Sequence, residues 1–180
     1  HYDLTRTGKR GIMLSRYSGL GSHRYPVGFS GDVHVTWESL QYQPYFTATA
    51  ANVGYTWWSH DIGGHMNGIK DNELYIRWLQ FGVFSPINRL HSNCNPFCGK
   101  EPWRYPAPYD RIAGEALQLR HRLLPYIYTM NYQCHGELRP AVVPAYYYCP
   151  MERECYRYKD EYFFGTELLV IPMVHPTDRE

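Results

Sequence analysis

The order of hydrophobic segments along the chain is the feature that most constrains its fold. Short apolar runs with strand character alternate with longer segments whose apolar residues recur at helical spacing. The predicted strands are residues 11–16, 53–58, 83–88, 142–149 and 168–174, and the predicted helices are residues 36–51, 71–82 and 110–133. Such alternation predicts an α/β fold with a parallel sheet. The first four strands are half of the set that closes a (β/α)8 barrel.

Length and charge narrow the class of protein. The chain has 180 residues, whereas a complete (β/α)8 barrel usually needs about 250. Its formal net charge is +1, and the charged residues are interspersed rather than clustered. We therefore expect no nucleic acid and no anionic membrane surface as a partner. No apolar run approaches the roughly 20 residues of a membrane span.

The cysteines and histidines are the candidate residues for disulfide bonds and metal sites. Five cysteines occur, an odd number, without paired Cys-x-x-Cys units. This pattern predicts no disulfide framework and favours a cytoplasmic location, with secretion as the alternative. Cys94 and Cys98 lack clean zinc spacing, and His60 and His65 flank a glycine pair without an evident third ligand. We therefore expect no metal and no cofactor.

Polar residues follow three of the predicted strands directly. Arg16 ends the first strand, Asp61 follows the second, and Arg89 and His91 follow the third. The carboxyl ends of barrel strands hold the active site in this architecture. This placement predicts an enzyme, although it does not identify the reaction.

Four short motifs identify a family. They are Ser15-Arg16, Gly28-Phe-Ser-Gly-Asp32, His60-Asp61-Ile-Gly-Gly64 and Asn88-Arg-Leu-His91, and they occur in this order. In this order the chain resembles glycoside hydrolase family 31, which contains α-glucosidases and α-xylosidases, from about residue 11 to residue 174. The resemblance implies the C-terminal half of a (β/α)8 TIM barrel in residues 1–160. It also implies that residues 161–180 leave the barrel and enter a following β-sandwich-like domain.

The resemblance further implies a retaining α-glycosidase that hydrolyses terminal α-glucosidic bonds of oligosaccharides. Asp32 matches the general acid/base, the aspartate of the family's Gly-Asp pair. The family pattern there is Trp-x-Gly-Asp, and this chain has Phe29 in place of the tryptophan. The implied substrate-binding residues are Arg16, Asp61, His91, Phe29 and Trp58.

The nucleophile is the part of the family pattern that this sequence does not match. A retaining glycosidase uses two carboxyl groups about 5–5.5 Å apart. In the family the nucleophile is an aspartate on an earlier strand, and Asp3 is the only acid before Asp32. Because the Tyr-Asp-Leu context of Asp3 differs from the nucleophile motif, we expect a fragment that is inactive by itself.

Three other interpretations remain open. The enzyme could be an α-xylosidase, because room around the C6 position of the sugar decides between the two substrates. The chain could be a non-catalytic carbohydrate-binding protein with a degenerate barrel, or an α/β domain of another enzyme class. That last interpretation fails if Arg16, Asp32, Asp61 and His91 converge on one site. Homo-oligomerisation is also left open.

Overall fold

A computed structural model describes most of the chain. The described residues are Thr5, Thr7, Gly8, 12–16, Gly19, 21–24 and 26–177. Asp3 and Gly11, the first residue of the first predicted strand, lie outside them. The strands are β1 Met13–Ser15, β2 Pro26–Phe29, β3 His34–Val35, β4 Trp58–Ser59, β5 Met66–Gly68, β6 Val142–Pro144, β7 Tyr162–Phe164 and β8 Leu168–Val170. The α-helices are α1 Trp37–Thr49, α2 Asn72–Val83, α3 Tyr109–Arg122 and α4 Leu124–Glu137.

A parallel sheet of order β1-β2-β4 carries the candidate site. Leu14 pairs with Val27, and Phe29 pairs with Ser59. The parallel arrangement agrees with the alternation of strands and helices in the sequence. The sequence pattern does not predict β2, because this strand is short and contains both proline and glycine, which are depleted in strands. Gly28 is needed there, since a Cβ atom would lie 2.6 Å from the ring of Trp58.

The helices α1 and α2 have side-chain caps at their first turns. Thr36 accepts a hydrogen bond from Ser39 N at 3.2 Å and caps α1. Asp71 caps α2 and accepts hydrogen bonds through Oδ1 from Glu73 N at 2.8 Å and Leu74 N at 3.1 Å. Its other oxygen, Oδ2, accepts a hydrogen bond from the indole of Trp37 at 3.1 Å. One carboxylate therefore joins the starts of both helices.

The core lies mainly between α2, the α3–α4 pair and the strands. Its largest completely buried side chains are Trp78, Tyr75, Tyr162, Phe81, Phe164 and Leu40. Burial of these large apolar side chains is the main contribution to the stability of the fold among the described residues. Among the described residues, no helix combines the length and the apolar character needed to cross a membrane.

The predicted strand at residues 83–88 is wrong. α2 continues to Val83, and no strand follows it in this segment. The buried guanidinium of Arg120 instead donates hydrogen bonds to the carbonyls of Val83 at 2.8 Å, Ser85 at 2.5 Å and Pro86 at 2.8 Å. Pro86 has no backbone N–H to donate to a neighbouring strand, and the carbonyls of this segment accept hydrogen bonds from the Arg120 side chain instead of from a strand.

The predicted long helix is two helices. α3 ends at Arg122, and α4 begins at Leu124 with Pro125 in its first turn. Proline is tolerated in a first helical turn because the N–H that it lacks has no intrahelical partner there. The chain therefore breaks into two helices just before Pro125. α4 also continues beyond residue 133, the predicted end of the helix, and ends at Glu137.

The predicted strand at residues 142–149 is shorter and has another partner. Only Val142–Pro144 forms a strand, β6, and it pairs antiparallel with β7, which pairs antiparallel with β8. It is therefore not a fourth parallel strand, and a 3-10 turn follows Pro144. This antiparallel sheet joins residues from both sides of position 160. The domain boundary at that position stays a prediction.

One disulfide bond corrects the expectation from the cysteine count. Cys149 and Cys155 are bonded, with their Cα atoms 6.3 Å apart, while Cys94, Cys98 and Cys134 are free thiols. The chain between the two bonded residues turns through a 3-10 helix, Arg153–Tyr156, which brings the ends of this short segment together. Sequence spacing alone does not reveal such an approach.

Candidate active site

Arg16 and Asp32 lie side by side beyond the ends of β1 and β2. Arg16 Nη1 is 3.1 Å from Asp32 Oδ2, and the Asp32 side chain keeps 33% of its surface exposed. Gly31 precedes Asp32 with a φ of +82°, a left-handed conformation that glycine adopts without steric cost. The turn at Gly31 thus directs Asp32 toward the arginine. An ion pair with this exposure stabilises the fold little, so its importance is the orientation of the carboxylate.

Asp61 follows β4 and is completely buried. Its Oδ1 accepts a short hydrogen bond from Arg89 Nη2. Its Oδ2 lies 3.1 Å from His65 Nδ1, which is an ion-pair distance when His65 is protonated, and both atoms are buried without a hydrogen-bond partner. Burial raises the pKa of the Asp61 carboxyl, and the negative charge of Asp32 adds to this, whereas Arg89 opposes it. Asp61 therefore presents one oxygen that is poorly satisfied by the protein.

Arg89 connects the ends of two parallel strands. Its Nε donates a hydrogen bond to Ser59 Oγ at 3.2 Å, and its guanidinium lies 5.1 Å from the ring centroid of Phe29. The backbone N–H of Ile62 approaches the Arg89 carbonyl at 3.4 Å. Arg89 therefore fixes Asp61 in place.

His65 and His91 complete the cluster around Asp61. Their ring centroids are 5.0 Å apart, and one ligand atom from each of Asp61, His65 and His91 lies within 4.8 Å of the others. The backbone N–H of His65 donates to the carbonyl of Val33 at 2.8 Å. His65 was not among the predicted site residues. Its position beside the glycine pair was the available signal, and the proximity of His91 could not be read from spacing.

His60 supports the loop from within the core. Its ring is completely buried and stacks on Phe81 at 4.5 Å, and burial lowers its pKa to about 3. Its Nδ1 accepts a hydrogen bond from the indole of Trp78 at 3.0 Å, so Nε2 carries the proton and donates to Ser85 Oγ at 2.8 Å. Neutral His60, with both nitrogens occupied, positions the adjacent Asp61 and is no metal ligand.

Lys100 holds the same loop from its other side. Its buried Nζ donates a hydrogen bond to the carbonyl of Gly63 at 2.9 Å, and burial lowers its pKa to about 8. Gly63 and Gly64 have φ values of +83° and +79°, and a Cβ at Gly64 would lie 2.6 Å from Val35 Cα. The glycine pair therefore permits both the turn and its close packing.

The structure brings five of the six predicted site residues to one edge of the sheet. These residues are Arg16, Asp32, Asp61, His91 and Phe29, linked through the contacts above and by the charge interaction between the two aspartates. It does not bring Trp58 there. The Trp58 ring is buried and packs 4.8 Å from Phe46 and 5.5 Å from Tyr55. Trp58 fills the interface with α1, so its predicted contact with substrate has no support.

Several known proteins are similar to this chain in amino-acid sequence. A model described as the glycosyl hydrolases family 31 TIM-barrel domain matches residues 1–130. Neutral alpha-glucosidase C of Mus musculus is 32% identical over 168 residues, which are 93% of this chain and 18% of that protein. An alpha-xylosidase of Saccharolobus solfataricus is 30% identical over 176 residues, 95% of this chain and 24% of that protein. The chain thus spans less than a quarter of the length of these relatives.

Solved structures extend the similarity to three dimensions. A family 31 alpha-xylosidase from a soil metagenome, complexed with xylose, superimposes with a TM-score of 0.83 at 31% identity, covering 93% of this chain and 28% of that one. A family 31 dextranase of Flavobacterium johnsoniae, complexed with glucose, has a TM-score of 0.86 at 31% identity, covering 97% of this chain and 22% of that one.

Proposed function

The chain belongs to glycoside hydrolase family 31, and we propose that the protein is a retaining α-glycosidase that hydrolyses terminal α-glucosidic bonds of oligosaccharides. The observation that carries the proposal is the convergence of Arg16, Asp32, Asp61 and His91 at the carboxyl edge of the parallel strands. Barrel enzymes hold their chemistry at that edge. Convergence also argues against an unrelated α/β domain whose strand-end residues match by chance.

Asp32 is the proposed general acid/base. It protonates the departing glycosidic oxygen and later accepts a proton from the incoming water. Its partial exposure allows contact with a bound substrate. The ion pair with Arg16 is strong only while Asp32 is charged, because charge-assisted hydrogen bonds are about twice as strong as neutral ones.

The nucleophile is proposed to come from outside the described residues. The second carboxylate of the site, Asp61, is completely buried and bound to Arg89. A nucleophile must instead reach the anomeric carbon on the face opposite the acid. Asp61 and His91 are better suited to bind hydroxyl groups of the terminal sugar. This arrangement supports the expectation that the 180-residue chain alone lacks one catalytic carboxylate.

The position of the chain within the family's fold is a second part of the proposal. The TIM-barrel domain is shared with the relatives, and we assign β1, β2 and β4 to its C-terminal half. The antiparallel strands β7 and β8, which lie within residues 161–180, are assigned to the exit from the barrel into a following β-domain, because their pairing differs from that of the parallel strands. The disulfide between Cys149 and Cys155 supports the secreted alternative over the predicted cytoplasmic location, since such bonds persist mainly in oxidising compartments.

An α-xylosidase is the second candidate. The chain is as similar to a xylose-bound alpha-xylosidase as to the dextranase, at 31% identity in both cases. Both candidates use Asp32 in the same role, so they differ in substrate and not in mechanism.

The test is hydrolysis of nitrophenyl α-glucoside and nitrophenyl α-xyloside by the whole gene product. We expect turnover of the glucoside. In Asp32→Asn, the rate of hydrolysis of an α-glucosidic disaccharide, whose leaving group is not activated, should fall by about 10²–10⁴-fold. Glu137→Gln, an exposed change at the end of α4, is the matched control. Binding of sugar without hydrolysis would favour the non-catalytic alternative, and preference for the xyloside would favour the second candidate.

A further inference from the structure

Asp61, His65 and His91 present ligand atoms that converge on one point. One atom from each residue lies within 4.8 Å of the others. Asp61 Oδ2 and His65 Nδ1 are 3.1 Å apart, buried, and without hydrogen-bond partners. Buried polar atoms almost always have such a partner. The two atoms can satisfy each other only when His65 carries a proton on Nδ1, whereas a neutral His65 with a bare Nδ1 leaves both free to bind one shared cation.

The separation of the Asp61 and His65 atoms suits a metal ion, and the 4.8 Å spread of the three atoms requires a small inward turn of a histidine ring on binding. Zinc binds histidine nitrogen at about 2.0–2.1 Å and carboxylate oxygen at about 2.0–2.2 Å. Two ligands at those distances on neighbouring coordination positions lie roughly 3–3.4 Å from each other. The separation of 3.1 Å between Asp61 Oδ2 and His65 Nδ1 falls in this range. Two imidazoles and one carboxylate also match the ligand chemistry of zinc sites that keep a fourth position open.

The surrounding residues already hold the ligands in place. Arg89 donates a hydrogen bond to Asp61 Oδ1, so that Oδ2 is the oxygen that faces His65. Backbone hydrogen bonds fix His65 at both ends, from its N–H to Val33 O at 2.8 Å and to its carbonyl from Asn93 N at 3.2 Å. Outer contacts of this kind orient metal ligands. The positive charge of Arg89 opposes a cation, so we expect binding weaker than at a structural zinc site.

We propose that Asp61, His65 and His91 bind one divalent cation of the zinc class. Of the two histidines that the sequence shows beside the glycine pair, only His65 belongs to this site, and Asp61 and His91 supply the other ligand atoms. A bound cation uses Asp61 and His91, two residues assigned to the terminal sugar. Metal and sugar therefore exclude each other at this site. This exclusion rests on the proposed function, whereas the binding of the metal does not depend on it.

The experiment measures binding of Zn²⁺ and Co²⁺ to the full chain without any activity assay. Calorimetric titration is expected to show one Zn²⁺ per chain, and Co²⁺ is expected to give visible bands of nitrogen and oxygen coordination. His65→Phe, which keeps an aromatic ring but no ligand atom, should lower the affinity at least about tenfold. His121→Gln, an exposed change in α3, is the control and should bind as the parent chain does.

Three results would overturn the metal site. They are the absence of stoichiometric binding, unchanged affinity in both His65→Phe and His91→Gln, or thiolate bands from Co²⁺ together with loss of binding in Cys94→Ser/Cys98→Ser. Circular dichroism shows whether each variant folds, and the Co²⁺ spectrum of the parent chain tests the ligands without any variant. Added glucose should weaken Zn²⁺ binding. Binding that glucose leaves unchanged would disprove the overlap with the sugar while keeping the metal site.

Discussion

The indole of Trp78 donates a hydrogen bond to His60 Nδ1 and so fixes the tautomer of a completely buried imidazole. The other ring nitrogen, Nε2, must carry the proton that it donates to Ser85. Protonation of His60 would break the bond from Trp78 and place a charge in the core. His60 therefore links the pH of the medium to the stability of the loop that carries Asp61.

We predict that stability falls on the acid side because of His60. The folded pKa, about 3, is below the ordinary value of 6.5, so between these values only the unfolded chain binds the proton. The free energy of unfolding should therefore decrease by about 1.4 kcal/mol per pH unit as pH falls from 6.5 toward 3. Asp61 has a raised pKa and acts in the opposite direction just above pH 3.8. Urea unfolding at several pH values measures the slope.

The contribution of His60 is isolated by comparing the parent chain with His60→Gln. This variant should be less stable near neutral pH but should lose less stability on acidification. His135→Gln, at an exposed position in α4, is the control and should retain the parent slope. Equal slopes in the parent chain and His60→Gln would show that other groups cause the acid sensitivity.

A second prediction concerns Arg120, whose guanidinium satisfies three backbone carbonyls after α2. Arg120→Met fills similar space but leaves those carbonyls without donors in a buried region. It should lower the free energy of unfolding by about 3 kcal/mol. Arg122→Met, an exposed change two residues further along α3, should change it little. A small effect of Arg120→Met in urea unfolding would mean that water replaces the guanidinium.

A third prediction separates packing from substrate binding at Trp58. Trp58→Phe removes part of a buried ring and should cost about 1–2 kcal/mol of stability. Because the ring contacts Phe46 and Tyr55, KM for a nitrophenyl α-glycoside should stay as in the parent enzyme. Phe29→Leu, next to Arg89 in the site, is the comparison and should raise KM. An increase in KM for Trp58→Phe without loss of stability would restore its predicted contact with substrate.

A fourth prediction tests Asp32 as the acid through the leaving group. In the whole gene product, Asp32→Asn should slow substrates with poor leaving groups most, because these need protonation of the departing oxygen. Activated leaving groups should be spared in the first step. Rates across a series of aryl glycosides with different leaving-group pKa values measure this. Equal losses throughout the series would remove Asp32 from the acid role.

A fifth prediction is that the 180-residue chain alone hydrolyses no α-glucoside. The described residues supply one suitably placed carboxylate, whereas the retaining mechanism requires two. A chain that forms half of a barrel would also leave strand edges unpaired, so it should aggregate or need a partner that completes the barrel. Release of nitrophenol by the purified chain, abolished in Asp32→Asn, would show that a second carboxylate in the chain acts as nucleophile.

The site could be predicted better than the fold around it. Asp32 and Asp61 lie in short motifs in the loops after predicted strands, so their approach to one edge of the sheet could be predicted, whereas their roles stay predictions that rest on the family resemblance. The ends of two parallel strands were also placed to within a few residues. The segment after α2 was wrong because the side chain of Arg120, distant in sequence, binds its carbonyls. No local pattern indicates such a contact.

Two further outcomes depended on packing that the sequence does not show. Trp58 and Ser59 are neighbours in β4, and alternate residues of a strand point to opposite faces. Sequence alone did not reveal which of the two faces α1, so Trp58 was assigned to the wrong side. Likewise His65 and His91 meet only because two separate loops end at the same edge.

The double use of Asp71 has a consequence for how sequences with this fold can vary. Its two oxygens serve different partners, the first turn of α2 and the indole of Trp37. A serine or threonine at position 71 could cap the helix but would leave the indole without its acceptor. Changes at position 71 should therefore be accompanied by changes at position 37, so that the two positions covary although they lie far apart in the sequence.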